Sequence, residues 1–206
     1  GTPESYATTQ VSRSLSDRAF TLDMLVKPSD TNKGQTFFEH GNDGSGVRFG
    51  ITADNRLLLS RGTIGIYSKP LEKMLEFTRV CVTYNNETNE IRFFAGTQDV
   101  TDDSAPKLPA NFDYDVSAPL VFGRGLDGNM LELRLWTKAL TQEEIAATHL
   151  RYLTGYEQEL VAYYPMTEGQ GTTLTDKAGG ATLTLHGASW NLPKGISLAV
   201  KSGEQV

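Results

Sequence analysis

Amide and carboxylate side chains lie beside glycine in two turns of the sequence, where they could hold a cation or orient the hydroxyl groups of a small molecule. Asn42 and Asp43 follow His40 in the loop HGNDGSG, and Asp127 precedes a glycine in the turn GLDG. Calcium prefers such oxygen ligands, and the same oxygens accept hydrogen bonds from hydroxyl groups. Asn and Asp beside Gly are also common in ordinary turns. Two interpretations stay open, a calcium or ligand site and plain turn chemistry.

Tyrosine rings in loop-like contexts add surfaces on which the apolar face of a ligand could stack. Tyr67 and Tyr114 lie in such contexts, whereas Trp136 and Trp190 lie in strand patterns beside small or apolar residues, which favours packing. The turns must share one rim of the fold if they are to form one site. The predicted ligand-binding residues are His40, Asn42, Asp43, Tyr67, Tyr114 and Asp127.

The composition is that of an acidic globular protein with a single cysteine. The 206 residues carry a net charge of -6. Nucleic acids and anionic membranes need concentrated basic charge, so both are disfavoured as partners. No apolar stretch approaches the roughly 20 residues that cross a bilayer, and the polar start GTPESYATTQ is unlike a signal peptide. Cys81 lies among β-branched residues, which favours a buried thiol over a nucleophile.

Most of the chain alternates between apolar and polar residues with a period of two, which is typical of strands with one face in a core. The clearest hairpin is FTRVCVTYNNETNEIRFFAG, in which two β-forming runs flank a polar turn. Thr141 and Glu144 form a capping box in front of a helical pattern. We predict an all-β fold of two antiparallel sheets, with one short helix near residues 141–152.

Four motifs follow one another between residues 19 and 146. They are AFTLDMLVKP, FTRVCVTYNNETNEIRFFAG, APLVFGRG and GNMLELRLWTKALTQEEIA. In this order they resemble the laminin-G-like jelly rolls of the concanavalin A-like lectin and glucanase superfamily. The resemblance implies a two-sheet antiparallel jelly-roll sandwich. It also implies a recognition module of an exported or cell-surface protein that binds a glycan or glycoprotein. Calcium is a further expectation, since many relatives hold it at the sandwich rim.

The C-terminal part of the chain departs from the usual order of this family. Residues 160–190 resemble the segment that normally opens such a domain, but here they follow the helix. We expect residues 160–200 to supply strands to the same sandwich, which makes residues 1–206 a single domain. The alternative is that residues 160–206 begin a second, truncated module.

The carboxylates argue against catalysis. Glycosidases on this fold place acid and nucleophile on one strand, and their E-x-D-x-E spacing is absent. Glu132 is the only carboxylate in its predicted strand. Glu157 and Glu159 have the spacing of two residues, but no third carboxylate continues it. We therefore predict a non-enzymatic protein. Two alternatives to glycan recognition remain: a structural spacer or protein-interaction domain among neighbouring domains of a larger surface protein, and a glycoside hydrolase.

Overall fold

Strands make up most of the regular structure in residues 5–9, 19–41, 46–104 and 118–190, the parts of the chain that the computed structural model describes. The elements within these ranges are β1 (Tyr6–Thr9), β2 (Phe20–Pro28), β3 (Gln35–His40), β4 (Val47–Ile51), β5 (Leu57–Arg61), β6 (Ile64–Tyr67), β7 (Thr78–Asn85), β8 (Glu90–Ala95), β9 (Gln98–Asp99), β10 (Leu120–Phe122), β11 (Gly128–Trp136), α1 (Gln142–Thr148), β12 (Leu160–Tyr164), β13 (Thr173–Leu174) and β14 (Leu183–His186).

The strands form two sheets in which neighbours run antiparallel. The order in the eight-stranded sheet is β13-β14-β1-β10-β3-β4-β5-β6, and in the six-stranded sheet it is β12-β11-β2-β7-β8-β9. Strands remote in sequence, such as β2 and β11, lie side by side. The predicted two-sheet antiparallel jelly-roll sandwich is confirmed, as is the β7–β8 hairpin. The helix in the described ranges is too short to cross a membrane.

The alternation of β2 places its apolar residues in the core between the sheets. Phe20, Leu22 and Met24 are fully or almost fully buried there. Thr21 and Asp23 face the other way, yet they are also buried. The outer face of the six-stranded sheet is therefore not a solvated face, because α1 and the chain around it cover this part of the sheet.

The capping box forms as the sequence predicts, but the helix is shorter. The Thr141 side chain accepts a hydrogen bond from the Glu144 amide, and the Glu144 carboxylate accepts one from the Thr141 amide. The helix ends at Thr148 rather than near residue 152. Two arginines of the sheet below donate hydrogen bonds to carbonyl oxygens at this end, Arg134 to that of Thr148 and Arg79 to that of His149. These carbonyl groups therefore have partners without a further helical turn.

A second apolar cluster joins α1 to the outer face of the six-stranded sheet. Its members are Cys81, Phe94, Trp136, Leu140, Ile145, Leu153, Leu160 and Tyr163. Cys81 is fully buried, and this burial raises the pKa of its thiol, so the predicted core role is confirmed. Trp136 is buried in the same cluster, as its strand context predicts.

The strands after the helix contribute to both sheets. β12 pairs with β11 in the six-stranded sheet, and β14 lies between β1 and β13 in the eight-stranded sheet. Leu174 and Leu183 enter the main core. These strands extend both sheets, while the boundaries of the domain over residues 1–206 stay a prediction.

Candidate functional site

A cleft of about 400 Å³ opens between the two sheets at one end of the sandwich. It is formed by the start of β1 and β11, the turn after β2, the end of β10 and the chain that follows β14. Its lining comprises Ser5, Tyr6, Ala7, Ser29, Phe122, Gly123, Leu126, Asp127, Gly128, Asn129, Met130, Leu131, Met166, Leu174, Leu185, Gly187, Ala188, Ser189 and Trp190. The mixture of apolar side chains with a few polar groups is typical of small-molecule sites.

Two hydrogen bonds of its backbone groups fix the position of Asp127 in the lining of this cleft. Its amide donates a hydrogen bond to Gln35 Oε1 at 2.9 Å, and its carbonyl oxygen accepts one from the Ser29 amide at 2.6 Å. Two glycines with positive φ, Gly123 at 76° and Gly125 at 91°, turn the chain just before it. The turn that carries the carboxylate is therefore tied to both sheets.

Gly128 allows β11 to start where it does. A Cβ at this residue would lie 2.2 Å from the Lys27 carbonyl oxygen of β2, which no side chain tolerates. Because Gly128 pairs with Pro28, the close approach sets the register of the first residues of β11. Asp127 and Asn129, on either side of this glycine, are both among the lining residues of the cleft.

Trp190 forms an aromatic wall of the cleft. Its Nε1 donates a hydrogen bond to the Gly171 carbonyl oxygen at 2.8 Å, and its ring packs partly against the main core. The sequence interpretation assigned Trp190 to packing, and this contact agrees with it. The same indole also lines the cleft, which sequence reasoning missed. Gly187 follows the last residue of β14, and it was the sequence signal that Trp190 lies beyond the strand.

Tyr6, another lining residue, is stacked in a row of side chains on the outer face of the eight-stranded sheet. The His186 ring lies 4.7 Å from the Tyr6 ring, and the Arg124 guanidinium lies 4.3 Å from it. Arg124 also donates a hydrogen bond to the Glu39 carboxylate at 2.8 Å. The contacts fix the positions of the Tyr6 ring and of the Arg124 guanidinium.

The structure does not bring His40 and Asp127 together. His40 is 1% exposed, and its Nε2 lies 3.0 Å from the Ala118 carbonyl oxygen. It ends β3, whereas Asp127 is bound to Gln35 at the start of the same strand. Five residue steps along a strand span about 17 Å. The two turns leave from opposite ends of β3, so these two residues do not contribute to one small-ligand site. Asn42, Asp43 and Tyr114 lie outside the described residues.

Tyr67 lies at the same end of the eight-stranded sheet as Gln35, but on its outer face. The register from Gln35 through Ile51 and Leu57 places the end of β6 on this side. Tyr67 is 39% exposed, and it is three strands, about 14 Å, away from β3. It is not among the described lining residues of the cleft.

The described residues contain no group of three or more His, Cys, Asp or Glu side chains placed to hold a metal ion. Asp127 thus has no such cluster around it within these ranges. The calcium expectation also depended on Asn42 and Asp43, and it stays a prediction.

Two other carboxylates are enclosed beneath α1. Arg79 pairs with Asp23 at 2.7 Å and also with Glu132, and Arg134 pairs with Glu132 at 2.8 Å. Burial by itself lowers the pKa of Arg79, but the two carboxylates outweigh it and raise that pKa above its ordinary value. All four side chains are buried. This cluster ties the end of α1 to the sheet, because Arg79 and Arg134 also donate hydrogen bonds to the His149 and Thr148 carbonyl oxygens.

The segment after α1 exposes large apolar side chains on an ordered backbone. Leu150 is 90% exposed, Tyr152 63% and Tyr156 92%. The Glu157 carboxylate accepts hydrogen bonds from the amides of Thr154 at 2.8 Å and Gly155 at 2.9 Å. These contacts hold the loop that presents Tyr156.

Three solved structures share the fold of this chain and belong to proteins with different names. A candidate carbohydrate-binding protein from Bacteroides ovatus aligns at a TM-score of 0.70 with 18% identity over 89% of this chain. This chain spans only 56% of that protein. A heptameric SAP-like pentraxin from Limulus polyphemus aligns at 0.57 with 13% identity, over 89% of both chains. The CBM40 of a Ruminococcus gnavus IT-sialidase, bound to α2,3-sialyllactose, aligns at 0.54 with 12% identity over 64% of this chain and 82% of that one.

Sequence comparison identifies the family. A search of curated proteins finds no match. A laminin G family model, described as the concanavalin A-like lectin/glucanases superfamily, matches residues 1–146. This match covers more than half of the chain, and the two facing antiparallel sheets agree with it. The chain therefore belongs to the concanavalin A-like lectin/glucanases superfamily.

Proposed function

We propose that this chain is a non-catalytic carbohydrate-binding module that holds a sugar in the cleft beside Asp127. The observation that carries the proposal is one cleft that is lined by both Trp190, which has an indole, and Asp127, which has a carboxylate. The names of the Bacteroides ovatus protein and of the CBM40 agree with it, although at these identities they establish the fold alone.

The chemistry of the lining matches the surface of a sugar. A sugar ring has an apolar C–H face and a rim of hydroxyl groups. An indole provides an apolar surface for the face, while a carboxylate accepts hydrogen bonds at the rim. Trp190 is anchored to Gly171 and the Asp127 turn to Gln35, so little side-chain and loop ordering remains to oppose binding.

The carboxylates support binding without hydrolysis. A glycosidase of the usual kind needs two carboxyl groups on either side of the scissile bond. Asp127 is the one carboxylate among the described lining residues, and Asp23 and Glu132 are enclosed by arginines beneath α1. The glycoside hydrolase alternative would need a second carboxylate in the cleft.

Glycan-array screening followed by calorimetric titration tests the proposal. Trp190→Ala is expected to weaken binding about tenfold or more, because it removes the stacking surface. Trp190→Phe, which keeps an aromatic ring, should retain part of the affinity. Tyr67→Ala is the matched control, since it removes an exposed aromatic ring outside the cleft and should leave affinity unchanged. A wild-type protein that binds no glycan on the array at high concentration, or Tyr67→Ala weakening binding as much as Trp190→Ala, would overturn the proposal.

The same proposal places the protein outside the cell or on its surface, because free and cell-bound glycans occur there. Fractionation of cells that express the full-length protein tests it. Recovery of the protein in the medium or on the surface is expected, and recovery confined to the interior would contradict it.

A second candidate function is protein interaction, which the exposed side chains of Leu150, Tyr152 and Tyr156 favour. Tyrosine is enriched at protein contact surfaces, and two of these three exposed side chains are tyrosines. Hydrogen exchange of residues 149–156 in this chain and in its full-length parent protein tests this candidate. Protection of the segment by neighbouring domains supports it, and equal exchange in both contradicts it.

A further inference from the structure

We infer that the chain has a second sugar-binding site, a pocket on the outer face of the six-stranded sheet beside the start of α1. This inference goes beyond the proposed function, because the pocket and the cleft share none of their described lining residues. The pocket has a volume of about 360 Å³, and residues of β7, β8 and β9 line it together with the segment that enters α1. The polar groups described below suit a molecule whose hydroxyl groups both donate and accept hydrogen bonds.

The register of the strands places the polar side chains of β7 and β8 on the outer face of the sheet. Thr83 pairs with Thr21 of β2 and with Arg92 of β8. Its neighbours along β7, Val82 and Tyr84, are buried in the main core. Because side chains alternate along a strand, Thr83 points away from that core, and its cross-strand partner Arg92 points the same way. Both residues line the pocket.

Thr83 has a hydroxyl group without a partner among the described residues. The residue is only 4% exposed, and it is part of the pocket lining. A buried polar group that forms no hydrogen bond raises the free energy of the folded protein. A ligand hydroxyl group in the pocket can supply the missing hydrogen bond. Thr83 is therefore the observation that points to a ligand.

The wall of the pocket that lies over β2 is already in place. The hydroxyl group of Thr21 donates a hydrogen bond to the Lys138 carbonyl oxygen at 2.6 Å and accepts one from the Leu140 amide at 2.9 Å. These bonds fix the segment that enters α1 against the sheet. Leu140 and Phe94, which both line the pocket, belong to the apolar cluster beneath the helix. They give the pocket apolar surface for the C–H groups of a sugar.

Arg92 forms the polar wall on the other side, and two carboxylates hold it. Its Nη1 donates to Asp99 Oδ2 at 2.8 Å, and its Nε and Nη2 donate to Glu90 Oε1 at 3.0 and 2.7 Å. Three of the five N–H groups of the guanidinium are thus engaged, and the other two have no acceptor among the residues that the structure describes. A guanidinium donor beside a carboxylate acceptor matches two adjacent hydroxyl groups of a sugar.

The same side chains favour an uncharged sugar that is bound and not cleaved. Two carboxylates already balance the charge of Arg92, so hydroxyl groups suit it better than a ligand anion. Burial raises the pKa of Asp99, but hydrogen bonds from Thr101 and Arg92 outweigh it and lower that pKa below its ordinary value. A carboxyl group that stays ionised cannot donate the proton that glycoside cleavage requires.

The pocket and the cleft lie at opposite ends of β2. The pocket wall is bound to Thr21 near the start of this strand, whereas Gly128 of the cleft pairs with Pro28 at its end. The seven residue steps from Thr21 to Pro28 span about 23 Å. Substitutions this far apart act independently, so a variant of one site should leave the other unchanged.

Amide NMR titration tests the inference on the wild-type protein and on Trp190→Ala, in which the cleft is weakened. The probes are three uncharged sugars, lactose, maltotriose and chitotriose, each added to high millimolar concentration. We expect at least one probe to shift the amide signals of Thr83, Arg92 and Thr141 in both proteins. The signals report each site from its own amides, so binding at the cleft does not count as binding at the pocket.

Three variants assign the binding to the pocket. Thr83→Val keeps the shape of the side chain and removes the hydroxyl group, so it should weaken binding about fivefold. Its melting temperature should be unchanged or higher, because the free protein loses a buried hydroxyl group without a partner. Arg92→Met should weaken binding about tenfold or more. Thr184→Val is the matched control, since it removes a hydroxyl group from a strand of the other sheet and should leave affinity unchanged.

The outcomes separate this inference from the proposed function. Pocket amides that do not shift with any probe overturn the inference, and so does an unchanged affinity in Thr83→Val. If only the cleft amides shift, the proposed function stands and the inference fails. If only the pocket amides shift, the inference stands and the proposed function fails.

Discussion

The backbone amide of Asp127 donates a hydrogen bond to the buried side chain of Gln35 at 2.9 Å, and the other end of the same side chain donates to the Asp30 carbonyl oxygen. One amide side chain at the start of β3 thus ties together the turn before β11 and the turn after β2. These turns include or adjoin two residues of the cleft, Ser29 and Asp127. Gln35 is therefore a positioning residue for the proposed site.

Gln35→Leu should destabilise the protein and weaken sugar binding. The variant keeps the size of the side chain but leaves the Asp127 amide and the Asp30 carbonyl without this partner, which costs about 1–3 kcal/mol. Urea unfolding measures the stability, and titration well below the melting temperature measures the affinity. Gln142→Leu removes an exposed hydrogen bond to the Thr97 carbonyl and should cost less than about 0.5 kcal/mol. Equal effects of the two variants would contradict the positioning role.

Gly128→Ala should destabilise the protein by about 2 kcal/mol or more, because the new methyl group meets the backbone of β2. The carbonyl of Lys27 cannot move aside as a flexible side chain can. Gly34→Ala is the control, since its Cβ would lie 3.5 Å from the nearest atom, an ordinary contact. Chemical denaturation compares the two variants. A Gly128→Ala protein as stable as Gly34→Ala would show that β11 can shift without loss.

Arg134→Met should cost about 3–5 kcal/mol, because it leaves the buried carboxylate of Glu132 with a missing partner. Arg134 also donates to the carbonyl oxygens of Thr148 and Arg151, so amides just after α1 should exchange faster. Urea unfolding and hydrogen exchange measure the two effects. Arg92→Met breaks exposed ion pairs and should cost about 1 kcal/mol or less. A small loss in Arg134→Met, similar to that of Arg92→Met, is the result that would refute this ranking.

His149 should make the protein less stable as the pH falls below neutrality. Burial, with the positive charge of Arg79, lowers the pKa of this imidazole below its ordinary value of 6.5, while Asp23 opposes the shift. The unfolded chain then binds a proton that the folded protein does not, so stability contributed by neutral His149 is present above 6.5 and is lost as the pH falls through the folded pKa. Urea unfolding at several pH values between 7.5 and 5 should show a shallower decline for His149→Gln than for wild type. Parallel curves would contradict the prediction.

Several features of the protein follow from the sequence because they depend on neighbours along the chain. The alternation in β2 buries Phe20 and Leu22, and the polar turn between β7 and β8 closes a hairpin. Thr141 and Glu144 cap α1 because the two residues are one helical turn apart. Side-chain alternation and helix capping act over a few residues, so a local pattern is sufficient to predict them.

Contacts between distant parts of the chain decided the rest. Asp127 lies beside Gln35 and not beside His40 because β10 and β11 meet β3 and β2 in a register that no local pattern specifies. Trp190 reaches the same cleft because β14 pairs with β1 across nearly the whole length of the chain. The polar face of β2 is buried because α1 returns over it. Which turns share an end of the sandwich depends on the order in which strands pair, and that order minimises the free energy of the whole core rather than of any one segment.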